Sequence, residues 1–274
     1  MDESIKIRVL ASGSSGNSLF VRIGETRILV DAGISCRRIT RALAEMDESP
    51  EALSAVLLTH EHSDHTSGLA QVLQRWPQTP VFCTPGTLRG CEDRFDKPTH
   101  WTGFRADQPF RVGPLVVEPF ELAHDANEPC GFRLQTDGFS MGIVTDLGVW
   151  SDQTVEAIRG CRVLLLEANH DLQMLRNGPY PAFLKRRIAS RDGHLSNEQA
   201  CALLSRVATP QLEWIILTHL SAKNNRPETA IEKVGAAAPA GARVIAAGPK
   251  PGEPIDLAPA LCAATRPARQ GILL

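Results

Sequence analysis

Hydrophobic residues occur along the chain in short runs with the length of β-strands, and amphipathic segments with helical spacing lie between them. Two pairs of runs, 18–33 and 130–148, are each interrupted by a turn that contains glycine, which predicts two β-hairpins. Single runs predict further strands at 5–12, 54–60, 80–84, 162–169, 213–221 and 242–247, and two more flank Pro114 within 111–125. The predicted strands therefore fall into two sets, one around each hairpin.

Helical patterns follow each set of strands. The segments with this spacing are 35–46, which begins at the candidate N-cap Ser35, 67–76, 151–160, several stretches of 170–208 and a segment from Pro227. Two sets of strands that alternate with helices predict an α/β (α+β) fold of four layers, an αββα sandwich, in a single domain over residues 1–274. The core is expected at about 5–248, and residues 249–274, with five of the nineteen prolines and no periodicity, are expected to be a tail.

Composition narrows the class of protein without indicating an activity. The 274 residues carry a net charge of −2, with 43% hydrophobic and 22% charged residues, which is typical of a globular protein and argues against a wholly basic nucleic-acid-binding protein. The seven cysteines form no CxxC pair and suit a reducing compartment. An acidic N-terminus without a long apolar core predicts no signal peptide, and no run reaches the ~18 apolar residues of a membrane span. We therefore expect a cytoplasmic protein that does not bind membranes.

The sequence VLLTHEHSDHTSG, residues 56–68, places ionisable side chains directly after a hydrophobic strand. Three histidines, a glutamate and an aspartate lie between His60 and His65. Such groups are costly to bury without partners, and a bound cation is the simplest partner that makes the arrangement favourable. His60 and His62 are two residues apart and point the same way on an extended backbone, whereas Asp64 and His65 lie where the chain turns. One short segment can therefore serve two adjacent metal ions.

Three later residues end predicted strands and can complete the metal sites: His124 after FELA, Asp146 after MGIVT and His219 after WIILT. Strand ends on one edge of a sheet converge, so these side chains can meet the first segment. Imidazole with carboxylate, and no thiolate, suits zinc and also iron or manganese. A carboxylate such as Asp146 can bridge two cations ~3.5–4 Å apart. We expect two divalent metal ions per chain, with zinc first and manganese or iron as alternatives.

The motif THEHSDH, together with His124, Asp146 and His219, resembles the metallo-β-lactamase superfamily. The resemblance implies one metal on His60, His62 and His124 and a second on Asp64, His65 and His219, with Asp146 and a hydroxide between them. It also implies that Asp31, which ends the strand RILV, braces the metal-binding loop, whereas an ordinary turn carboxylate is the alternative. Because His62 stands where the diiron redox branches typically carry glutamate, the resemblance favours hydrolysis.

The segment 191–225 is similar to the tRNA 3′-processing endonucleases of this superfamily, in which a Gly-His-Ser-Thr motif opens a helix. The matching histidine is His194, and its implied role is to give a proton to the leaving oxygen. Leu195 and Ser196 stand where serine and threonine are expected, so the chain departs from that motif. The alternative for His194 is a helix cap or a surface position.

The combined pattern of SGSSGNS (12–18), LEANHD (166–171) and THLSAKNN (218–225) most resembles the YycJ (WalJ) subfamily, over about residues 5–248. Members of this subfamily are metal-dependent phosphodiesterases, with 5′ to 3′ exonuclease activity on double-stranded DNA ascribed to the type. The resemblance therefore implies nucleic acid, and DNA in particular, as the substrate.

Several residues are candidates for contacts around the metals or with the substrate, each with a simpler alternative. Ser15 and Asn17 belong to a loop whose backbone N–H groups can bind an anion, or that is only a flexible turn. Lys185 and Arg187 lie in the basic run LKRRIASR, which can guide a phosphate backbone or form a solvated helix face. His170 either supports the metal ligands or faces the substrate.

The sequence thus predicts a dinuclear metal-dependent hydrolase, a phosphodiesterase or nuclease, with Asp64 and His194 as the catalytic candidates. The metals would activate the attacking water, and His194 would protonate the leaving oxygen. The first alternative is a hydrolase of a small substrate such as a cyclic phosphodiester, thioester or lactone, which an apolar pocket without a basic rim would favour. A non-catalytic binding module is the second, and seven intact ligand candidates argue against it. The pattern makes no prediction of oligomeric state.

Overall fold

The computed structural model describes residues 4–92, 94 and 100–258, and the strands in these residues form two seven-stranded sheets. The strands of the first sheet are β1 (Ile5–Ala11), β2 (Ser18–Ile23), β3 (Thr26–Val30), β4 (Ala55–Leu57), β5 (Val81–Cys83), β6 (Trp101–Gly103) and β14 (Ile255–Leu257). The strands of the second sheet are β7 (Phe110–Val112), β8 (Leu115–Glu121), β9 (Cys130–Thr136), β10 (Phe139–Val144), β11 (Val163–Glu167), β12 (Trp214–Thr218) and β13 (Arg243–Ala246). The spatial order is β14-β1-β2-β3-β4-β5-β6 in the first sheet and β13-β12-β11-β10-β9-β8-β7 in the second.

Helices lie between the strands in both halves of the described chain. They are α1 (Cys36–Ala44), α2 (Ser63–Thr66), α3 (Leu69–Arg75), α4 (Pro85–Arg89), α5 (Asp152–Ile158), α6 (Leu172–Asn177), α7 (Ala182–Ile188), α8 (Asn197–Val207) and α9 (Pro227–Gly235), with a 3₁₀-helix at Pro50–Ala52. In the part of the chain that the structure covers, no helix has both the length and the apolar character needed to cross a membrane.

Two hydrophobic cores give the fold its layers. Alternate residues of a strand face opposite sides of a sheet, and β11 shows this separation. Val163 and Leu165 pack in the core that contains the first sheet, whereas Leu164 and Leu166 pack with α5, α8 and α9. Apolar side chains of α1 and α3 join the first core. The predicted four-layer αββα arrangement is therefore confirmed, and β11 is a continuous hydrophobic run because both of its faces are buried.

Both predicted hairpins are confirmed, and their turns explain why glycine stands in each. β2 pairs antiparallel with β3, and β9 pairs antiparallel with β10. Gly24 and Gly138 have φ of +55° and +80°, a backbone region that residues with a Cβ atom rarely adopt. The predicted start of α1 is also confirmed, because the Ser35 hydroxyl accepts a hydrogen bond from the Arg38 N–H.

The sheet extends beyond residue 248, where the sequence pattern placed the end of the core. β14 pairs antiparallel with β1, so that Ile255 lies opposite Ile7 and Leu257 opposite Ile5. Only three residues form this strand, which is too short to produce a visible alternation. The remainder of the predicted tail, 259–274, lies outside the described residues.

The carboxyl ends of several strands meet at one edge of the sandwich. β3 is parallel to β4, and β10, β11 and β12 are parallel to one another. β8 runs in the same direction as β10 because each is antiparallel to β9. The residues that follow these strands at this edge are Asp31, His60, His124, Asp146 and His219.

Candidate metal centre

The backbone of the segment from His60 to His65 is non-helical in its first half and helical in its second, so its side chains point in two directions. β4 ends at Leu57, and His62 is the N-cap of the short helix α2, with an extended backbone (φ −56°, ψ 149°). His60 and His62 therefore precede the helix, whereas Asp64 and His65 lie within it. The sequence expectation that one segment serves two clusters matches this geometry.

The candidate ligands form two clusters that touch. The ligand atoms of His60, His62 and His124 lie within 4.8 Å of one another. The ligand atoms of Asp64, His65 and His219 form a second such group. These are the two sets of three that the family resemblance implies.

Asp146 lies between the two clusters. Its Oδ2 is 3.2 Å from Nε2 of His65, and its Oδ1 is 3.4 Å from Nε2 of His219 and 4.0 Å from Nε2 of His124. The carboxylate thus faces members of both groups, as a bridging ligand must.

Hydrogen bonds from the surrounding protein orient the buried histidines of the HxHxDH segment. Nδ1 of His65 lies 2.7 Å from Oδ2 of Asp31, and this carboxylate also accepts the N–H and hydroxyl of Thr59 at 2.9 Å each. Nδ1 of His60 is 3.0 Å from the Thr59 hydroxyl. Both rings therefore turn Nε2 toward the cluster, and Asp31 occupies the bracing position that the resemblance implies.

His62 and His124 are oriented by backbone carbonyl groups. Nε2 of His62 is 3.2 Å from the carbonyl oxygen of Asp125, which leaves Nδ1 to face the cluster. Nδ1 of His124 is 3.2 Å from the carbonyl oxygen of Gly193, so Nε2 faces inward, 3.3 Å from Nδ1 of His62. The inward nitrogen of each ring is set by what the other nitrogen contacts.

The last histidine of the set, His219, is oriented by two residues that the sequence patterns did not single out. Oε1 of Glu167 lies 3.4 Å from its Nδ1, and the Asn169 side-chain amide donates to its carbonyl oxygen at 2.8 Å. Oε1 of Glu167 is also 2.7 Å from Nδ1 of His194. Glu167 therefore joins a candidate metal ligand to the candidate proton donor.

The buried carboxylates of the site attract positive charge. Burial opposes ionisation of Asp146, but the imidazoles of His219 and His65 outweigh it and hold the pKa of this carboxyl well below its usual value. Burial alone would lower the pKa of His219, yet Asp146, Asp64 and Glu167 raise it to about 10. Protons on histidine and divalent cations are the two ways to supply this charge, and metal binding displaces such protons.

The donor set fits a metal rather than a purely hydrogen-bonded cluster. Burial, followed by the nearby His65, holds the pKa of His60 well below its usual value, so this ring is neutral and can coordinate. Among the described residues, no atom forms a hydrogen bond with the buried Nε2 of His60. A buried nitrogen left without a partner is costly, and a cation bound there removes the cost.

Three residues of the centre have strained backbones. Asp31, Asp146 and His219 have φ between +55° and +59°, the left-handed region that residues other than glycine seldom adopt. Asp31 and His219 come directly after a strand, and Asp146 comes two residues after one. Asp146 and His219 face each other within the cluster, whereas Asp31 contacts the outer nitrogen of His65. Such strain is retained where surrounding contacts over-determine the conformation, and it concentrates at functional sites.

The loop SGSSGNS supports the second cluster through Asn17. The side-chain amide of Asn17 lies 3.2 Å from Oδ2 of Asp64 and 3.0 Å from Nε2 of His65. Its side-chain oxygen accepts the N–H of Gly13, and its own N–H donates to the carbonyl oxygen of Asp64. Asn17 thus contacts the ligands directly.

Serines of the same loop occupy different places. The Ser12 hydroxyl accepts the N–H of His219 at 2.7 Å. Ser14 lines the cavity above the metal centre, whereas Ser15 is exposed and does not line it. Anion binding by this loop stays a prediction, and Ser14 is better placed for it than Ser15.

A cavity of about 290 Å³ opens over the two clusters. Its lining residues are Ser14, His62, Asp64, His124, Asp125, Asp146, Asn169, Tyr180, Leu184, Arg187, Ile188, Gly193, His194, His219 and Ser221. Arg187 is its single Lys or Arg within the described residues, and its Nη2 lies 2.6 Å from Oδ2 of Asp125. Lys185 donates instead to the Arg176 carbonyl oxygen, away from the cavity.

His170 does not face the cavity. It is 1% exposed, and both of its ring nitrogens lack hydrogen-bond partners among the described residues. Burial lowers its pKa to about 4. The structure therefore places this ring in the protein interior near Glu167, and it is not among the residues that line the cavity.

Glu167 and Asn169 are the functional candidates that the sequence analysis missed. Glu167 is the last residue of β11 and is fully buried. A signal was present, because the run VLLLE ends in an acidic residue as IVTD does at Asp146 and as WIILTH ends in His219. A polar residue at the end of a continuous hydrophobic strand marks the same edge of the sheet.

Comparison with known proteins agrees with this arrangement. Residues 26–220 match the family described as "Beta-lactamase superfamily domain". The chain is 38% identical over 230 residues to exodeoxyribonuclease WalJ of Streptococcus pneumoniae serotype 2 (strain D39 / NCTC 7466), across 82% of this chain and 85% of the relative. It is 38% identical over 231 residues to exodeoxyribonuclease YycJ of Bacillus anthracis, across 81% and 84%. The metallo-beta-lactamase fold protein YhfI from Bacillus subtilis superposes with a TM-score of 0.70 at 18% identity, over 93% of this chain and 100% of that one, which supports the fold alone.

Proposed function

Because this chain belongs to the metallo-β-lactamase superfamily and, within it, to the family of the WalJ and YycJ exodeoxyribonucleases, we propose that it is a metal-dependent exonuclease that acts on DNA. The observation that carries the proposal is the convergence of two three-residue clusters on one carboxylate, Asp146. Such a centre suits a hydrolase of phosphodiesters, which must activate water and stabilise negative charge on phosphate oxygens.

The family and the cluster of histidines and aspartates imply that the chain binds divalent metal. Our assignment is one ion held by His60, His62 and His124 and another held by Asp64, His65 and His219, with Asp146 facing both. Zinc is the first choice for this donor set, with manganese or iron as alternatives. When bound, such ions would lower the pKa of water and stabilise the negative charge on the phosphate oxygens.

His194 is the residue that we assign to the leaving oxygen. Its Nδ1 is occupied by Glu167 at 2.7 Å, so Nε2 is the nitrogen left to hold a proton toward the cavity. Departure of an alkoxide from DNA requires a proton, and a positioned donor typically contributes ~10²–10⁴-fold. Asp64, which faces both the cavity and His219, stays our second candidate for a catalytic role.

Arg187 supplies the positive charge at the mouth of the cavity. Its side chain is 60% exposed, and its guanidinium contacts Asp125, the neighbour of His124, through both Nε and Nη2. A guanidinium presents parallel donors that match a phosphate as well as a carboxylate. A phosphate of the substrate can therefore replace Asp125 as the partner of Arg187.

The size of the cavity favours action at a strand end. At about 290 Å³ it lies just below the ~300–1,000 Å³ that ligand pockets occupy. Such a space suits the terminal part of a strand better than the side of an intact duplex. The small cavity therefore favours exonuclease over endonuclease action.

The test is the degradation of end-labelled DNA by purified protein supplied with zinc, manganese or iron. We expect short products released progressively from one end, and loss of this activity in Asp64→Asn. An RNA strand of the same sequence shows whether the sugar matters. Hydrolysis of a cyclic phosphodiester, a thioester or a lactone, with no release from DNA, would replace the proposal with the small-substrate alternative.

A further inference from the structure

Phe183 is an apolar side chain placed in solvent. It is 66% exposed, the largest exposure among the large hydrophobic residues of the described ranges. It lies on α7, which has no buried residue. A single exposed apolar side chain is common on protein surfaces, so it is the position of this ring beside the cavity, and not its exposure alone, that points to a ligand.

The position of Phe183 on α7 sets it at the edge of the cavity. Leu184, Arg187 and Ile188 line the cavity from α7, and Tyr180, just before the helix, lines it as well. Phe183 lies four residues before Arg187, so the two side chains are neighbours on the helix surface. The ring therefore stands next to the arginine that contacts Asp125 beside the metal centre.

The helix that carries Phe183 is attached to the loop that carries His194. The N–H of His194 donates to the carbonyl oxygen of Ile188 at 2.9 Å. A Cβ atom on Gly193 would lie 2.3 Å from the same oxygen, so only glycine permits this close approach. The helix that carries the ring is thus fixed relative to the loop that carries the proposed proton donor.

Charge on the same segment selects the kind of ligand. Arg187, the basic residue that lines the cavity, follows Phe183 by four residues, and Tyr180 precedes it by three. Proteins that hold single-stranded nucleic acid combine positive charge for the phosphates with aromatic rings on which the bases stack. A lipid or an apolar peptide would not require the arginine at the cavity mouth.

We propose that Phe183, together with Tyr180, forms a stacking site for the bases at the strand end held over the metal centre. The inference rests on the proposed exonuclease function and adds to it a site that binds bases without reading their identity. Every base has a face for stacking, so the site accepts any sequence. Tyr180 stacks inside the cavity and Phe183 at its rim.

The experiment compares two strands and three variants in the metal-loaded enzyme. One strand is intact single-stranded DNA, and the other lacks the bases of its terminal nucleotides. Both carry phosphorothioate linkages at the end for binding measurements, and ordinary linkages for kinetics. The variants are Phe183→Ala, Phe183→Trp, which keeps an aromatic ring, and Leu172→Ala, which removes another exposed apolar side chain (44% exposed) on the preceding helix α6.

We expect Phe183→Ala to weaken binding of the intact strand by about 5- to 150-fold, which is the range for loss of stacking with one base. In steady-state kinetics, Phe183→Ala should raise KM by a larger factor than it lowers kcat. The wild type should bind the intact strand more tightly than the abasic strand, and Phe183→Ala should reduce this preference by the same factor. Phe183→Trp should restore the preference, and Leu172→Ala should retain the wild-type value.

Equal losses on the intact and abasic strands would overturn the inference, because the side chain would then act through something other than a base. The inference would also be overturned if light scattering showed a dimeric wild type and a monomeric Phe183→Ala, because the ring would then lie in an interface between two copies of the chain. Equal degradation of DNA by the wild type and by Phe183→Ala would overturn the stacking site alone. A wild type that degrades no DNA would overturn the proposed function itself.

Discussion

Oε1 of Glu167 lies 2.7 Å from Nδ1 of His194, and this contact determines which nitrogen of the histidine faces the cavity. The other oxygen, Oε2, accepts the backbone N–H groups of Leu147 at 2.8 Å and Leu195 at 3.2 Å. Burial opposes ionisation of Glu167, but the imidazoles of His194 and His219 outweigh it and lower the pKa of the carboxyl to about 2. Both carboxylate oxygens of Glu167 therefore act as hydrogen-bond acceptors.

The first prediction is that Glu167→Gln lowers cleavage of DNA by about 10²–10⁴-fold, the loss typical of a missing general acid. Glutamine has one oxygen and one NH₂ group. The NH₂ group, which is a donor, must therefore face one of the donors that the carboxylate accepts in the wild type. With NH₂ toward His194, the ring can no longer carry a proton on both nitrogens. With NH₂ toward Leu147 and Leu195, two backbone donors lose their partner. Steady-state kinetics on an oligonucleotide measures the loss.

A substrate with a good leaving group separates this role from a structural one. A p-nitrophenolate leaves without a proton, so Glu167→Gln should retain far more activity on a p-nitrophenyl phosphodiester than on DNA. Glu228→Gln, which changes an exposed glutamate in the first turn of α9, is the matched control. Equal losses on both substrates would show that Glu167 acts by positioning other groups, His219 among them, and not through proton transfer by His194.

The second prediction concerns Asp146→Asn. Asparagine keeps the shape of the side chain and tolerates the φ of +58° at this position, so the backbone should be retained. It lacks the negative charge that faces both clusters, and we expect the metal content to fall from about two ions per chain to one or fewer, with nearly complete loss of activity. Elemental analysis and circular dichroism of the same sample check both statements.

The control for Asp146→Asn is Asp137→Asn, which changes an exposed aspartate in the turn between β9 and β10. It should retain the metal content and activity of the wild type. Two ions bound to Asp146→Asn with full activity would show that this carboxylate does not join the two sites.

The third prediction distinguishes two neighbouring arginines. Arg187 lines the cavity, whereas Arg186 is exposed and is not among the residues that line it. Arg187→Gln should weaken binding of a short DNA strand and reduce the slope of log K against log salt by about 1, because each phosphate contact releases roughly one counterion. Arg186→Gln should change both quantities less. The measurement is fluorescence anisotropy between about 50 and 200 mM salt.

Equal effects of the two substitutions would mean that the whole basic run acts as a diffuse charge. A larger effect of Arg186→Gln would contradict the assignment of Arg187 to a substrate phosphate.

The fourth prediction is a dependence of stability on pH that arises from His170. The pKa of this histidine falls from 6.5 to about 4 on folding because the ring is buried. Below 6.5 the unfolded chain takes up a proton that the folded chain does not, so stability is lost as the pH falls from about 6.5 toward 4. At a pH of about 5 this amounts to about 2 kcal/mol of unfolding free energy relative to neutral pH.

Denaturation of metal-free protein at about pH 7.5 and 5 measures this effect, because metal binding then contributes nothing. His170→Leu removes the titrating group without breaking a side-chain hydrogen bond among the described residues. Between the two pH values, the unfolding free energy of the variant should fall by about 2 kcal/mol less than that of the wild type. An equal fall in the variant and the wild type would assign the acid sensitivity to other groups.

The sequence alone was sufficient for the parts of the protein that depend on neighbours along the chain. The HxHxDH segment is local, so spacing alone indicated two ligand directions, and the structure has them on either side of the start of α2. The two hairpins depend on alternation and on a glycine turn, and both are present. The roles of His60, His62, Asp64, His65, His124, Asp146 and His219 as ligands stay predictions, although the structure brings all seven together.

Tertiary structure alone decided what depends on distant pairing and on which side of an element faces the site. β14 joins β1 from about 250 residues away, and no pattern in three residues can specify that partner. Glu167 and His194 are 27 residues apart in sequence and meet only because β11 ends where the loop before α8 passes. Arg187 faces the cavity and Lys185 does not, since two residues on a helix differ by about 200° in direction. A sequence specifies which groups are available, but the packing of two sheets edge by edge determines which of them share one site.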